Sequence, residues 1–185
     1  MAGGIQPGTT AATPESLLLD GDVNEVAKLL SRHLLNESLS HLYYEEGHDH
    51  KRPKSLLPEI TDLGVTVGCV PDGGMWFSGP RGSQRTLLAV FEAKHQQDAG
   101  NAIERWGKNY LICKALNPNV IYVTFMTGAG AVPGGTLHKF GTSMAAINGD
   151  TCRFHYAPEG FSRTEILRIM TDTLGLDLSS FPVQL

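Results

Sequence analysis

Three charged residues stand where chemistry would need them: Asp72 in Pro71-Asp72-Gly73-Gly74, and Glu92 and Lys94 in Glu92-Ala93-Lys94. Side-chain alternation along a strand puts Glu92 and Lys94 on one face, with Asp72 arriving from a neighbouring strand or turn. Two convergent carboxylates suit Mg²⁺, a hard cation that prefers oxygen ligands and keeps waters for a phosphate substrate and a nucleophile. A lysine beside them can orient or deprotonate an attacking water and counter charge on a phosphorane-like transition state. Each piece also has a plainer reading. Pro, Asp and Gly are the residues of tight turns, and a Glu/Lys pair two apart is common on exposed edge strands. The run Leu87-Leu88-Ala89-Val90-Phe91 favours chemistry, because it reads as buried on both faces. Charges that follow such a strand lie at its mouth, where sites collect in α/β sheets.

A second segment follows a few residues later, Ala99-Gly100-Asn101-Ala102-Ile103-Glu104-Arg105. Asn101 is a good helix N-cap with Glu104 at the capping-box position. Arg105 then falls in the first turn, where the helix dipole disfavours a cation and an anionic neighbour would offset it. Free N–H groups at a helix start suit phosphate, and Asn and Arg suit adenine and guanine edges in a major groove.

These residues need elements to hold them. Residues Met1 to Pro14, rich in Gly, Ala, Thr and Pro, read as a loose arm ahead of a single domain over 15–185. Val23, Val26, Leu29, Leu30, Leu34 and Leu35 recur at helical spacing, and a second helical stretch is expected from about Asn36 to Tyr44. Gly47 to Pro53 breaks that pattern. Strands are expected over Val65 to Val70 and Thr86 to Phe91, joined by a Gly/Pro/Ser-containing connection. Ala102, Ile103, Trp106, Tyr110 and Cys113 form an amphipathic stripe that Asn117-Pro118 should end, with Trp106 and Tyr110 as core or interface residues. A buried strand over Val120 to Phe125 follows, then a glycine-rich loop over Thr127 to Thr136. A last strand near Cys152 to Tyr156 precedes a helix capped by Ser162 and Glu165, with Ile166, Ile169, Met170 and Leu174 inward. Strand, strand, helix and strand in that order predict an α/β sandwich with the helix crossing over a mixed sheet.

At 185 residues the chain can bury a core without disulfides, and its 41% hydrophobic and 18% charged content is that of a globular protein. No apolar run is long enough to cross a bilayer and the start does not read as a signal peptide. Cys69, Cys113 and Cys152 lack metal-type or redox-type spacing. A cytoplasmic protein without membrane association is expected. The net charge of −4 argues against nucleic acid as a partner, but its distribution softens this. Acidic residues dominate before Gly64, whereas Arg81, Arg85, Lys94, Arg105, Lys108 and Lys114 face Glu92, Asp98 and Glu104 in the middle of the chain.

The acidic pair and lysine match the PD-(D/E)xK nuclease pattern. Together Pro71-Asp72-Gly73-Gly74, Glu92-Ala93-Lys94-His95-Gln96 and Ala99-Gly100-Asn101-Ala102-Ile103-Glu104-Arg105 resemble, in order, the blocks of the EcoRI family of type II restriction endonucleases. The likeness covers roughly Val65 to Gly128 and does not reach the ends. It implies a restriction-endonuclease-like α/β fold with a central mixed β-sheet flanked by helices. It further implies a homodimer that cuts palindromic double-stranded DNA with Mg²⁺ and leaves 5′-phosphate ends. By resemblance Asp72, Glu92 and the Ala93 carbonyl hold the metal, and Lys94 serves the water. Asn101 and Arg105 would read an AATT core, braced by Glu104, in a DNA-binding segment that also includes Gly100 and Ala102. His95 and Gln96 match in sequence without a role that physics assigns. The family carries a long insertion between the blocks matching Gln96 and Ala99, where this chain has only Gln97 and Asp98. The likeness therefore does not extend to the outer base contacts or to a DNA-embracing arm. A repair or structure-selective nuclease, or a non-catalytic DNA-binding module, is the alternative on the same fold.

Overall fold

The computed structural model describes residues 22–36, 42–46, 48–49, 52–53, 71–78, 85–95, 100–128 and 135–177. Helix α1 (Asn24–Asn36) leads into strand β1 (Leu42–Glu46) and the short pair β2 (His48–Asp49) and β3 (Arg52–Pro53). Strands β4 (Gly73–Ser78) and β5 (Arg85–His95) are followed by helix α2 (Gly100–Leu116) and strand β6 (Ile121–Thr127). Helix α3 (Thr136–Asn148), a 3-10 turn, strand β7 (Cys152–Ala157) and helix α4 (Arg163–Leu174) complete the described chain.

The main sheet has the order β1-β4-β5-β6-β7. β1, β4 and β5 pair antiparallel, whereas β5, β6 and β7 are parallel. Each parallel step needs a crossover, and α2 and α3 supply them. The result is an α/β architecture with a mixed sheet flanked by helices.

Alternation along the strands sorts the core into two layers. Met75, Ala89, Phe91, Ala93, Val123 and Phe125 face one way, against Val26 and Leu30 of α1 and Ile166 and Met170 of α4. Trp76, Val90, Tyr122, Met126 and Cys152 face the other way, against Trp106, Tyr110 and Cys113 of α2 with Phe140 and Met144 of α3. A bulge resets the alternation in β5, since Met75 pairs with Ala89 but Trp76 with Leu87, leaving Leu88 as the extra residue. Glu92 and Lys94 therefore belong to the face that α2 covers.

Several expectations hold in the described residues. α1, α2, β6, β7 and α4 fall where the apolar periodicities place them, and Trp106 and Tyr110 are core residues. Asn117 ends α2 as expected, its side chain donating to the Leu87 carbonyl and accepting from the Asn119 N–H. Ser162 and Glu165 form a complete capping box on α4.

Others are corrected. Leu42 to Tyr44 belong to strand β1 and not to a second helix; Tyr44 pairs with Met75, and the aromatic content of this segment suits a pleated surface. The strand expected at Val65 to Val70 lies outside the described residues, as do the N-terminal arm and Cys69. The strand that pairs antiparallel with β5 is Gly73–Ser78, within the segment read as a connection, and Asp72 immediately precedes it. Most of the glycine-rich loop also lies outside the described residues, and its expected end, Thr136, begins α3. α3 itself went unread. Its tight contact is at Gly141, where a Cβ would lie 2.5 Å from the Phe154 ring and 2.7 Å from the Trp106 ring, so the helix approaches the sheet where it has no side chain. Among the described residues no helix is long and apolar enough to cross a membrane.

Candidate active site

The site forms at the seam between the start of β4 and the end of β5. Asp72 is placed just before β4 by its own carboxylate, which accepts a 2.7 Å hydrogen bond from the Ala93 N–H. The glycine after it is needed for space. A Cβ on Gly73 would collide with the Tyr44 phenol, which crosses above it from β1 and donates to Asn24 Oδ1 on α1. Pro71-Asp72-Gly73-Gly74 is thus a strand entry that lets an aromatic ring pass, as well as a turn-prone sequence.

Glu92 and Lys94 share one face of β5, as alternation requires. Lys94 Nζ lies 3.0 Å from Glu92 Oε2, 3.1 Å from the Ala93 carbonyl oxygen and 3.9 Å from Asp72 Oδ2. The side chains of Asp72, Glu92 and Lys94 are 12%, 3% and 13% exposed, low values for three charged groups and tolerable because they face one another and hydrogen-bond partners.

The remaining lone pairs of Glu92 are held from two other elements. Asn109 of α2 donates to Oε1 at 2.9 Å, and the Tyr122 hydroxyl of β6 donates to the same oxygen at 2.6 Å. Glu92 is buried, and burial alone pushes its carboxyl up; Lys94, Tyr122 and Asn109 together outweigh that and hold it below the usual glutamate range. Asp72 shifts the other way. Burial first and the neighbouring Glu92 carboxylate second push it well above the usual aspartate range, against the pull of Lys94 and the Ala93 N–H. The two shifts have opposite sign because the attractive partners outweigh burial at Glu92, whereas burial and the like charge of Glu92 prevail at Asp72.

Among the described residues no group of three or more His, Cys, Asp or Glu side chains converges. Two carboxylates and a carbonyl remain, the small donor set that Mg²⁺ uses when substrate phosphate and water complete its octahedron. The residues fit such an ion on the evidence of Lys94: the three oxygens expected to ligate it already point at one cationic nitrogen. Burial first and the Glu92 charge second penalise a negative charge on Asp72, and a divalent cation would relieve both.

The structure places the second segment differently from expectation. α2 begins at Gly100, so Asn101 lies within the first helical turn, whereas a cap residue has non-helical backbone. Glu104 and Arg105 are the fifth and sixth helical residues, past the turn over which the dipole acts, and the first turn holds no acidic residue. The dipole therefore gives no reason for an anion near Arg105. Both Glu104 and Arg105 are exposed, and so is Lys108 one turn on. His95 points to the opposite face from Lys94, its Nδ1 3.0 Å from the Thr127 hydroxyl across the β5–β6 ladder.

Asn109 and Tyr122 escaped the sequence reading. The signal was weak but present: each is a polar group within an apolar stripe, Asn109 three residues after Trp106 and Tyr122 inside Ile121–Thr127. A buried polar side chain there needs a partner. No family model, curated protein or solved structure matches this chain.

Proposed function

We propose that this protein is a Mg²⁺-dependent endonuclease that hydrolyses double-stranded DNA at a short palindromic site with an AATT core, leaving 5′-phosphate ends. The observation that carries the reading is the convergence of Asp72 Oδ2, Glu92 Oε2 and the Ala93 carbonyl on Lys94 Nζ at the β4–β5 seam. Order and spacing of the three sequence blocks shared with the EcoRI family supply the substrate class.

Bound at this site, Mg²⁺ would polarise the scissile phosphate and lower the pKa of a coordinated water. Asp72 and Glu92 would hold the ion, with the Ala93 carbonyl as a third protein oxygen. Lys94 would hold the attacking water through Nζ and counter the charge that develops on phosphate. Exposed Arg105 and Lys108 put positive charge on the outer face of α2, where duplex DNA can approach the helix start. Two equivalent scissile phosphates in a palindrome call for a homodimer.

Digestion of plasmid DNA with Mg²⁺ or with EDTA, followed by end sequencing, tests the reading. Cleavage is expected only with Mg²⁺, at fixed palindromes containing AATT, with 5′-phosphate ends. Cuts without a shared sequence would make the protein a repair or structure-selective nuclease. Binding without cutting would make it a recognition module.

A further inference from the structure

Glu92 is built into the molecule from three sides, and the arrangement makes its two oxygens unequal. Oε1 accepts two neutral hydrogen bonds, from Asn109 Nδ2 at 2.9 Å and Tyr122 Oη at 2.6 Å. Oε2 accepts from Lys94, and it is the oxygen on the side of Asp72 and the Ala93 carbonyl. A carboxylate oxygen offers about two lone-pair directions. Both directions on Oε1 are therefore taken, and Oε2 is left for a cation.

We infer that Asn109 and Tyr122 are positioning residues that clamp Glu92 Oε1, so that Glu92 ligates its metal ion through Oε2 alone, and that Asn109 ties this carboxylate to the helix whose first two turns carry the DNA-reading segment. The inference rests on the nuclease reading above. Both donors are well placed to act as fixed points. Tyr122 is fully buried in β6, pairs with Val90 across the ladder and packs edge-on against Tyr110. Asn109 is 8% exposed and lies one helical turn beyond Arg105, between buried Trp106 and Cys113. α2 is anchored at its other end by the Asn117 bond to the Leu87 carbonyl of β5. A displacement of the first turns of α2 on binding DNA would thus be felt at Glu92 through a single 2.9 Å hydrogen bond.

Hydrogen-bond partners of metal ligands orient them and tune their basicity, and losing one typically costs about 10–100-fold in metal affinity or activity. The test is Mn²⁺ binding to the free protein, followed by electron paramagnetic resonance, beside single-turnover cleavage at saturating and limiting Mg²⁺. Tyr122→Phe removes one donor and keeps the ring; Asn109→Leu removes the other; Asn109→Gln tests whether a longer amide restores it. Tyr122→Phe and Asn109→Leu are each expected to weaken Mn²⁺ binding by about 10-fold or more. The Mg²⁺ concentration for half-maximal cleavage should rise with it, while circular dichroism at the assay temperature shows Tyr122→Phe folded like the wild type. In the absence of metal, cognate DNA should bind Tyr122→Phe as tightly as the wild type. Unchanged Mn²⁺ affinity in both variants overturns the clamp. Weakened affinity in Tyr122→Phe with none in Asn109→Leu overturns the link to α2. A wild type that neither binds Mn²⁺ nor cuts DNA defeats the nuclease reading itself, so the two failures are told apart.

Discussion

The β4–β5 seam and the first turns of α2 lie close in sequence but are built in opposite ways. At the seam, the carboxylates are fixed by partners: Asp72 by the Ala93 N–H of β5, and Glu92 by Lys94 of its own strand and by Asn109 and Tyr122 from α2 and β6. The groups are buried and their geometry is set before any ligand arrives. At the start of α2 the backbone is helical, but Glu104 and Arg105 face solvent. Preorganisation suits a group that must meet a transition state with little rearrangement. Exposure suits groups whose partner comes from outside. Substitutions in the two regions should therefore differ in kind: those at the seam should stop chemistry, and those on α2 should change which DNA is bound.

The largest effects are expected at the seam. Asp72→Asn, Glu92→Gln and Lys94→Ala should each lower the cleavage rate by about 10²–10³-fold or more, the scale of losing one preorganised electrostatic group. Glu92→Gln is the sharpest, because the amide oxygen can still accept from Asn109 and Tyr122 while the charge is gone. Single-turnover rates on supercoiled plasmid, with circular dichroism as the check on folding, measure this. A Glu92→Gln enzyme that nicks DNA with Mg²⁺ at the wild-type rate would remove the seam from the chemistry and end the contrast.

Next comes the glycine that makes the seam possible. Gly73→Ala places a Cβ where the Tyr44 phenol lies, so the ring must leave Asn24 or β4 must shift. Overpacking of this kind costs about 1–3 kcal/mol, read as a fall in the urea midpoint at constant slope. Cleavage should fall as well, since Asp72 is the adjacent residue. A variant as stable as the wild type would show that Tyr44 swings away freely and does not help to place Asp72.

How far the site could be read from sequence follows from the same contrast. The convergence of Asp72, Glu92 and Lys94 was legible because residue type and period-two spacing bring the three together regardless of the exact strand limits. Asn109 and Tyr122 were not, because their partnership with Glu92 is made by packing α2 and β6 on β5, and each contributes one polar atom to an apolar stripe. The fold divides likewise. α4 was readable down to its cap, since Ser162, Glu165 and the apolar stripe are all local. β1 was misread because Leu42-Tyr43-Tyr44 continues an apolar pattern from α1 and becomes a strand only by pairing with β4. α3 was passed over because its contact with the sheet depends on Gly141, a residue that weakens any helix prediction.

A smaller effect is expected on α2. Asn101→Ala and Arg105→Lys should each cost about 1–3 kcal/mol per half-site on duplexes containing AATT, with much less change on random DNA. Lysine keeps the charge of Arg105 but loses its planar fork. Fluorescence anisotropy on both duplexes in Ca²⁺ measures the ratio, and light scattering of the same samples should give a dimer. Equal losses on cognate and random DNA would make the two residues phosphate anchors, and a monomer with and without DNA would remove the two-fold reading.

The smallest effect belongs to α4, packed on the sheet face opposite Glu92 and Lys94, and it separates stability from both functions. The Ser162 hydroxyl accepts from the Glu165 N–H at 3.2 Å, while Glu165 Oε2 accepts from the Ser162 N–H at 2.8 Å and from its hydroxyl at 2.7 Å. Ser162→Ala should lower Tm by about 2–4 °C, the shift that loss of an N-cap gives in a chain of this size. Cleavage and DNA selectivity at 25 °C should be unchanged, because among the described residues the cap bonds join Ser162 and Glu165 to each other and not to Asp72, Glu92 or Lys94. The cap should also depend on pH in a defined direction. The Ser162 hydroxyl and N–H hold the Glu165 carboxyl below the usual glutamate range, so its pKa is lower folded than unfolded. Its contribution is then complete above the unfolded value and is lost as pH falls through the folded one. The stability difference between wild type and Ser162→Ala should accordingly be constant near neutrality and shrink on acidification past the ordinary glutamate pKa. A difference that instead grows with acid, or a Ser162→Ala enzyme with altered cutting at neutral pH, would mean that α4 is coupled to the seam and that the division between the two regions is drawn in the wrong place.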